Sequence, residues 1–144
     1  MDYSQIKTIF LLFIFFFCFP QAKGNIFKGK KYTVSIHNGL PNDNPQLYFH
    51  CASGDDDLGY HTLAPLDRFS WSFHPNMWLW ARTIFFCHFW WGSKNKAFVV
   101  YNDFDFCVHS ANVPKTTTYC QWTVQTDGIY LSNGQGVGYR YVDW

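Results

Sequence analysis

The sequence predicts an all-β fold, a small disulfide-stapled β-sandwich. Three observations carry that expectation. Apolar and polar residues alternate with period two in many short segments, the pattern of strands with one buried face. Clusters of turn-forming residues separate these segments at the ~8–12-residue spacing of sandwiches and small barrels. No segment carries an apolar stripe at helical spacing over three turns.

The segments follow in order. Over Tyr32–His37, Tyr32, Val34 and Ile36 fall on one face and Thr33, Ser35 and His37 on the other. Over Gln46–Cys51, Leu47, Phe49 and Cys51 alternate with Gln46, Tyr48 and His50. In Arg68–His74, Phe69, Trp71 and Phe73 share a face. Ile84–Trp91 is apolar on both faces and reads as a central strand buried on both sides. Gly92–Asn95 makes a hairpin loop into Ala97–Tyr101. Tyr119–Val124 places Cys120, Trp122 and Val124 together, and Asp127-Gly128 suits a tight turn into Ile129–Ser132. Between these lie Asn42-Asp43-Asn44-Pro45, Gly54–Gly59, His74-Pro75-Asn76 and Asn112–Lys115, all rich in turn formers.

Composition sets the class. Of 144 residues, 22% are aromatic and only 15% charged, and there is no Glu. Such a chain has ample apolar surface to bury, which excludes bulk disorder. A formal charge of +1 excludes a global basic footprint for nucleic acid.

The N-terminal run Ile9–Phe19 is apolar and preceded by Lys7. It is shorter than the ~20 residues of a membrane-spanning helix and matches the core of a secretory signal peptide. Ala22 and Gly24 supply the small residues a signal peptidase prefers. Residues 1–24 are therefore expected to be a signal peptide, with cleavage after Ala22 as the alternative, and 25–144 a single secreted domain. Gly24–Lys31 is expected to be a lead-in to that domain. The mature chain carries nine basic and nine acidic residues and is not expected to be membrane-embedded. It also has no Asn-x-Ser/Thr sequon.

Maturation removes Cys18 and leaves Cys51, Cys87, Cys107 and Cys120. Four cysteines in a small secreted chain predict two disulfides. In a simple hairpin Cys87 lies opposite Val100, and Cys107 follows seven residues later, ~23 Å further along at strand rise. That disfavours a Cys87–Cys107 bond. Cys51–Cys87 with Cys107–Cys120, and Cys51–Cys107 with Cys87–Cys120, both stay open.

The pairs His50-Cys51 and Cys87-His88 invite a zinc site, but neighbours on a regular strand point to opposite faces. No metal or cofactor is expected. With an even mature cysteine count no thiolate nucleophile is left over, and no Gly-x-Ser-x-Gly elbow occurs. Asp103 and Asp105 read as loop residues closing a strand rather than as a carboxylate pair. No catalytic residue is assigned. Asp55, Asp56 and Asp57 admit a calcium reading, although the spacing is not that of an EF-hand. Turn-capping of backbone N–H groups explains them more simply, and a contact for a basic partner is a third reading. Trp78 and Trp80, in an expected loop, are the aromatic residues best placed for stacking on a ligand.

These pieces occur in a familiar order. Val34-Ser35-Ile36-His37-Asn38 with Leu40 is followed by His50-Cys51, Ser53, Asp55-Asp56-Asp57-Leu58-Gly59 and His61. Then come Trp71-Ser72-Phe73, Phe85 through Trp91, Phe98 and Tyr101. Cys107, Cys120-Gln121-Trp122 and Asp127-Gly128 complete the series. In this order the chain resembles the plant self-incompatibility protein family, the S-protein homologues, across essentially the whole mature sequence. The resemblance implies a small secreted protein with a sandwich fold of immunoglobulin-like appearance and disulfides. It implies a non-catalytic, pistil-type signalling ligand perceived by a cell-surface receptor. Separately, the chain is expected to be a monomer and to bind no nucleic acid. Loops on a rigid scaffold are where recognition normally sits. The candidate recognition loops are Pro41–Pro45 (Asn42, Asp43, Asn44), Gly54–Gly59 (Asp55, Asp56, Asp57), Pro75–Trp80 (Asn76, Trp78) and Ala111–Thr117 (Asn112, Lys115). A secreted defence protein, a cell-wall carbohydrate-binding module using Trp78 or Trp80, and a secreted ribonuclease are the competing classes.

Overall fold

A computed structural model describes residues 29–42, 45–76, 82–102, 107, 117–134 and 138–144. Its elements are strands: β1 (Tyr32–Asn38), β2 (Leu47–Ala52), β3 (Asp57–Leu63), β4 (Arg68–Phe73), β5 (Ile84–Trp91), β6 (Lys94–Asn102), β7 (Tyr119–Val124), β8 (Gly128–Ser132) and β9 (Tyr139–Asp143). They form a five-stranded sheet of order β4-β1-β7-β8-β9 and a four-stranded sheet of order β3-β2-β5-β6. Within these sheets β1 and β7 pair parallel and the other neighbours antiparallel. The expected sandwich is what the chain adopts. The path crosses between layers after β1, β3, β4 and β6.

The core lies between the two inner faces and follows from the alternation. Val34 and Ile36 of β1, Cys120, Trp122 and Val124 of β7, and Ile129 and Leu131 of β8 are completely buried. Facing them, Leu47, Phe49 and Cys51 of β2 and Cys87 and Phe89 of β5 are equally buried. Trp122 donates its indole N–H to the Val100 carbonyl at 2.9 Å, so burial of the largest core side chain leaves no polar atom unpaired. Asn38 ends β1 inside the sandwich. Its side chain donates to the Leu63 carbonyl at 2.9 Å and accepts from the Leu40 N–H at 3.0 Å, tying the two layers together at that end.

The disulfides are Cys51–Cys87 and Cys107–Cys120, one of the two pairings the sequence leaves open. Cys51 and Cys87 lie directly opposite each other in the β2–β5 register.

Several expectations are corrected. β5 is interior to its sheet, paired with β2 and β6, but it is not buried on both faces: Phe86 is 46% exposed. No third layer covers the outer face of this sheet among the described residues. The β5–β6 hairpin turns through Gly92 and Ser93 alone, with Gly92 at φ 60°, and a register shift follows between Phe85 and Phe86. The two-residue turn sets Cys87 opposite Phe98 rather than Val100, and the register shift lies beyond that pair. The tight turn between β7 and β8 is Thr126-Asp127, closed by Gln125 N–H donating to the Gly128 carbonyl at 2.9 Å; Gly128 already belongs to β8. β3 begins at Asp57, inside the stretch expected to be a turn, and β9 was not expected at all.

Candidate functional site

Strand directions divide the connections between two ends of the sandwich. The β1–β2 connection lies at one end with the β5–β6 and β7–β8 turns. Trp91 donates its indole N–H to the Pro45 carbonyl at 3.0 Å there, and Lys94 Nζ donates to the Thr126 carbonyl at 2.7 Å. The β2–β3 turn lies at the opposite end, where β4 ends, β5 begins and Cys107 joins β7. The sequence-chosen loops thus do not form one surface. Exposed Asn42 sits at the first end, and Asp55, Asp56, Asp57 and Asn76 belong to the second. Asp43, Asn44, Trp78, Trp80, Asn112 and Lys115 lie outside the described residues.

The acidic turn is organised chiefly by serine. Ser53 Oγ accepts from the N–H groups of Asp55 at 3.3 Å and Asp56 at 3.0 Å, and Ser53 N–H donates to the Asp56 carbonyl at 2.7 Å. Of the three carboxylates, Asp57 is the one tied inward. Its Oδ1 accepts from Gly59 N–H at 2.9 Å and lies 2.7 Å from His50 Nε2. The Gly59 hydrogen bond, and secondarily His50, hold the Asp57 carboxyl below the usual carboxylate range. Among the described residues no three His, Cys, Asp or Glu side chains converge to hold a metal ion.

A feature that loop reasoning missed is the outer face of the four-stranded sheet. His50 and His88 stand opposite each other in register, on the other side of the strands from the buried Cys51–Cys87 bond. The mirrored His-Cys and Cys-His pairs divide between the two faces, as the strand pleat requires. Around the imidazoles, Tyr60, Tyr48 and Trp90 from three adjacent strands form a triangle of rings. Their centroids are 5.6 Å (Tyr48–Tyr60), 5.4 Å (Tyr48–Trp90) and 6.3 Å (Tyr60–Trp90) apart. His50 stacks on Tyr60 at 4.3 Å and His88 on Trp90 at 3.8 Å. Tyr60 is 62% and Tyr48 41% exposed. The signal was present in the sequence as the non-core half of each alternation, Tyr48/His50 and Phe86/His88/Trp90.

The outer face of the other sheet is different in kind. Its cross-strand contacts are polar: Thr33–Ser72 at 2.8 Å and Ser70–Ser35 at 2.9 Å join hydroxyls, and Arg68 donates to the Tyr119 hydroxyl at 3.1 Å. Among the described residues no helix is long and apolar enough to cross a membrane.

Comparison with known proteins identifies the family. The sequence model of plant self-incompatibility protein S1 matches residues 33–144. S-protein homolog 2 of Arabidopsis thaliana is 42% identical over 84 residues, an alignment spanning 58% of this chain and half of that protein. S-protein homolog 5 of Arabidopsis thaliana is 33% identical over 125 residues, spanning 85% of this chain and 88% of that one. A solved structure of a self-incompatibility protein homologue, described as belonging to a widespread family of small, highly stable, secreted plant proteins, has the same fold. Its TM-score is 0.58 at 17% identity, over 81% of this chain and 96% of that one. The chain belongs to the plant self-incompatibility protein S1 family, the S-protein homologues, a family of small secreted plant proteins.

Proposed function

We propose that the chain is a non-catalytic signalling ligand, released after removal of residues 1–24 and perceived by a cell-surface receptor protein. The observation that carries this reading is the family match across the whole sandwich, residues 33–144. The architecture supports it: two disulfides and a fully buried core hold a rigid frame on which exposed connections vary at little cost to the fold. Recognition is assigned to the loops at the two ends. The end carrying Asp55 and Asp56 offers exposed carboxylates that steer towards a basic receptor surface. The ligand acts as a monomer and needs no cofactor or nucleic acid.

The test is expression of the full chain through a plant secretory pathway and collection of the oxidised product. Mass spectrometry of its N terminus checks cleavage after Gly24. The product is then used to capture partners from plant plasma membranes. A saturable protein partner, lost when the Pro41–Pro45 or Gly54–Gly59 segment is exchanged, is the expected result. Capture of wall polysaccharide alone, or of nothing, overturns the ligand reading.

A further inference from the structure

We infer that the outer face of the four-stranded sheet is a binding platform for a neutral oligosaccharide, centred on Tyr48, Tyr60 and Trp90. The inference does not depend on the receptor reading, which concerns the loops.

Four observations carry it. The first is the presentation of the rings. Tyr48 and Tyr60 lie 13° from parallel, Tyr60 and Trp90 30°, and Tyr48 and Trp90 40°. The first pair is near parallel and the other two are tilted, and Tyr60 and Tyr48 are 62% and 41% exposed, so the cluster offers a platform of exposed ring surface. A pyranose ring offers such a platform an apolar face of C–H groups, with its hydroxyls directed outward around the edge.

The second is the chemistry at the margin. His50, His88 and Asn95 bring imidazole and amide groups beside the rings, and His88 Nε2 lies 3.4 Å from Asn95 Oδ1. These groups donate and accept hydrogen bonds, which suits hydroxyls. Asp57 is the charged residue beside them, and its Oδ1 is already engaged by Gly59 and His50. A face so poor in charge complements a neutral ligand better than a polyanion or a basic peptide.

The third is size. From Phe86 to Trp90 is four residue rises, and four strands lie side by side, so the platform is on the order of 13 by 14 Å. That footprint fits a ligand of a few sugar rings.

The fourth is rigidity. The Cys51–Cys87 bond clamps β2 to β5 on the opposite side of the strands from His50 and His88. The rings also hold one another through the stacked pairs. A platform ordered before the ligand arrives loses little entropy on binding.

The experiment is titration of the secreted, oxidised protein at neutral pH with short oligosaccharides of glucose, xylose and mannose, using galacturonan fragments as the anionic comparison. Calorimetry and Trp fluorescence read affinity, and two-dimensional NMR with the unsubstituted protein locates the contact without any variant. A neutral oligosaccharide should bind and shift resonances of β2, β3 and β5. Tyr60→Ala and Tyr48→Ala should each weaken it by about tenfold or more, while Ser72→Ala on the other sheet leaves it unchanged. Four results each overturn the inference. They are no binding of any neutral oligosaccharide at millimolar concentration, resonance shifts confined to the other sheet or the loops, tighter binding of the galacturonan fragments, and affinity indifferent to both tyrosine substitutions. If no sugar binds and Tyr60→Ala instead abolishes capture of a membrane protein, the face docks a protein and the sugar assignment falls.

Discussion

At the scale of single residues, His37 shows how a position on β1 couples the fold to pH. It pairs with Arg68 on β4 and Thr123 on β7. Burial, and then the positive charge of Arg68, push its imidazole below the ordinary histidine value of 6.5, against a smaller opposing effect from a hydrogen bond to the Leu66 backbone. The sign follows from linkage. With the folded pKa depressed, the unfolded chain binds the proton first as pH falls. The stability that a neutral His37 permits is complete above 6.5 and is lost as pH drops through the folded pKa. The denaturant midpoint should therefore be lower at pH 5.5 than at pH 7.5, and His37→Gln should reduce that difference. An unchanged difference in the variant would assign the slope to other groups.

At the scale of elements, Gly128 explains why β8 accepts β9. Its φ is not positive, so no turn conformation demands glycine there. The reason is proximity: a Cβ at this position would stand 2.5 Å from the Val142 backbone carbonyl and 3.4 Å from Asp143 Cα. The Val142 carbonyl is backbone and cannot rotate away. Gly128→Ala should cost about 1–3 kcal/mol, read by urea titration, with amide-exchange protection lost first in β8 and β9. A neutral result would mean that β9 shifts at little cost. The same hairpin marks the limit of what sequence alone reveals about elements. The strands with clean alternation, such as β1, β2 and β7, are legible because each buries one face in a common core. β3 is not, because Gly59, at φ 80°, and a register shift between Cys51 and Ala52 interrupt its pairing with β2, while its Asp and Gly residues imitate a turn. β9 is short, follows a Gly-rich stretch and leaves none of its residues fully buried, so its alternation is weak.

At the scale of the whole molecule, the sandwich was legible and its outer surface was not. Period-two alternation says which side chains go inward, but it does not say whether a second layer covers the other side. An aromatic strand such as β5 therefore reads as doubly buried, although Phe86, His88 and Trp90 face outward. Pairing between distant strands was also out of reach, and with it the choice of disulfides. The two bonds now allow a discriminating test of what holds the molecule together. Cys51–Cys87 encloses a separation of 36 residues between strands that the β2–β5 ladder already pairs. Cys107–Cys120 encloses only 13, but it pins the β6–β7 crossover to the parallel strand at the centre of the five-stranded sheet. If disulfides act by restricting the unfolded chain, the longer loop matters more, with losses of about 4 kcal/mol against about 3. The pairs Cys51→Ala/Cys87→Ala and Cys107→Ala/Cys120→Ala, compared by urea unfolding, should then rank in that order. The reverse ranking would mean that the bonds act in the folded state, where the crossover depends on its tether and the β2–β5 ladder does not.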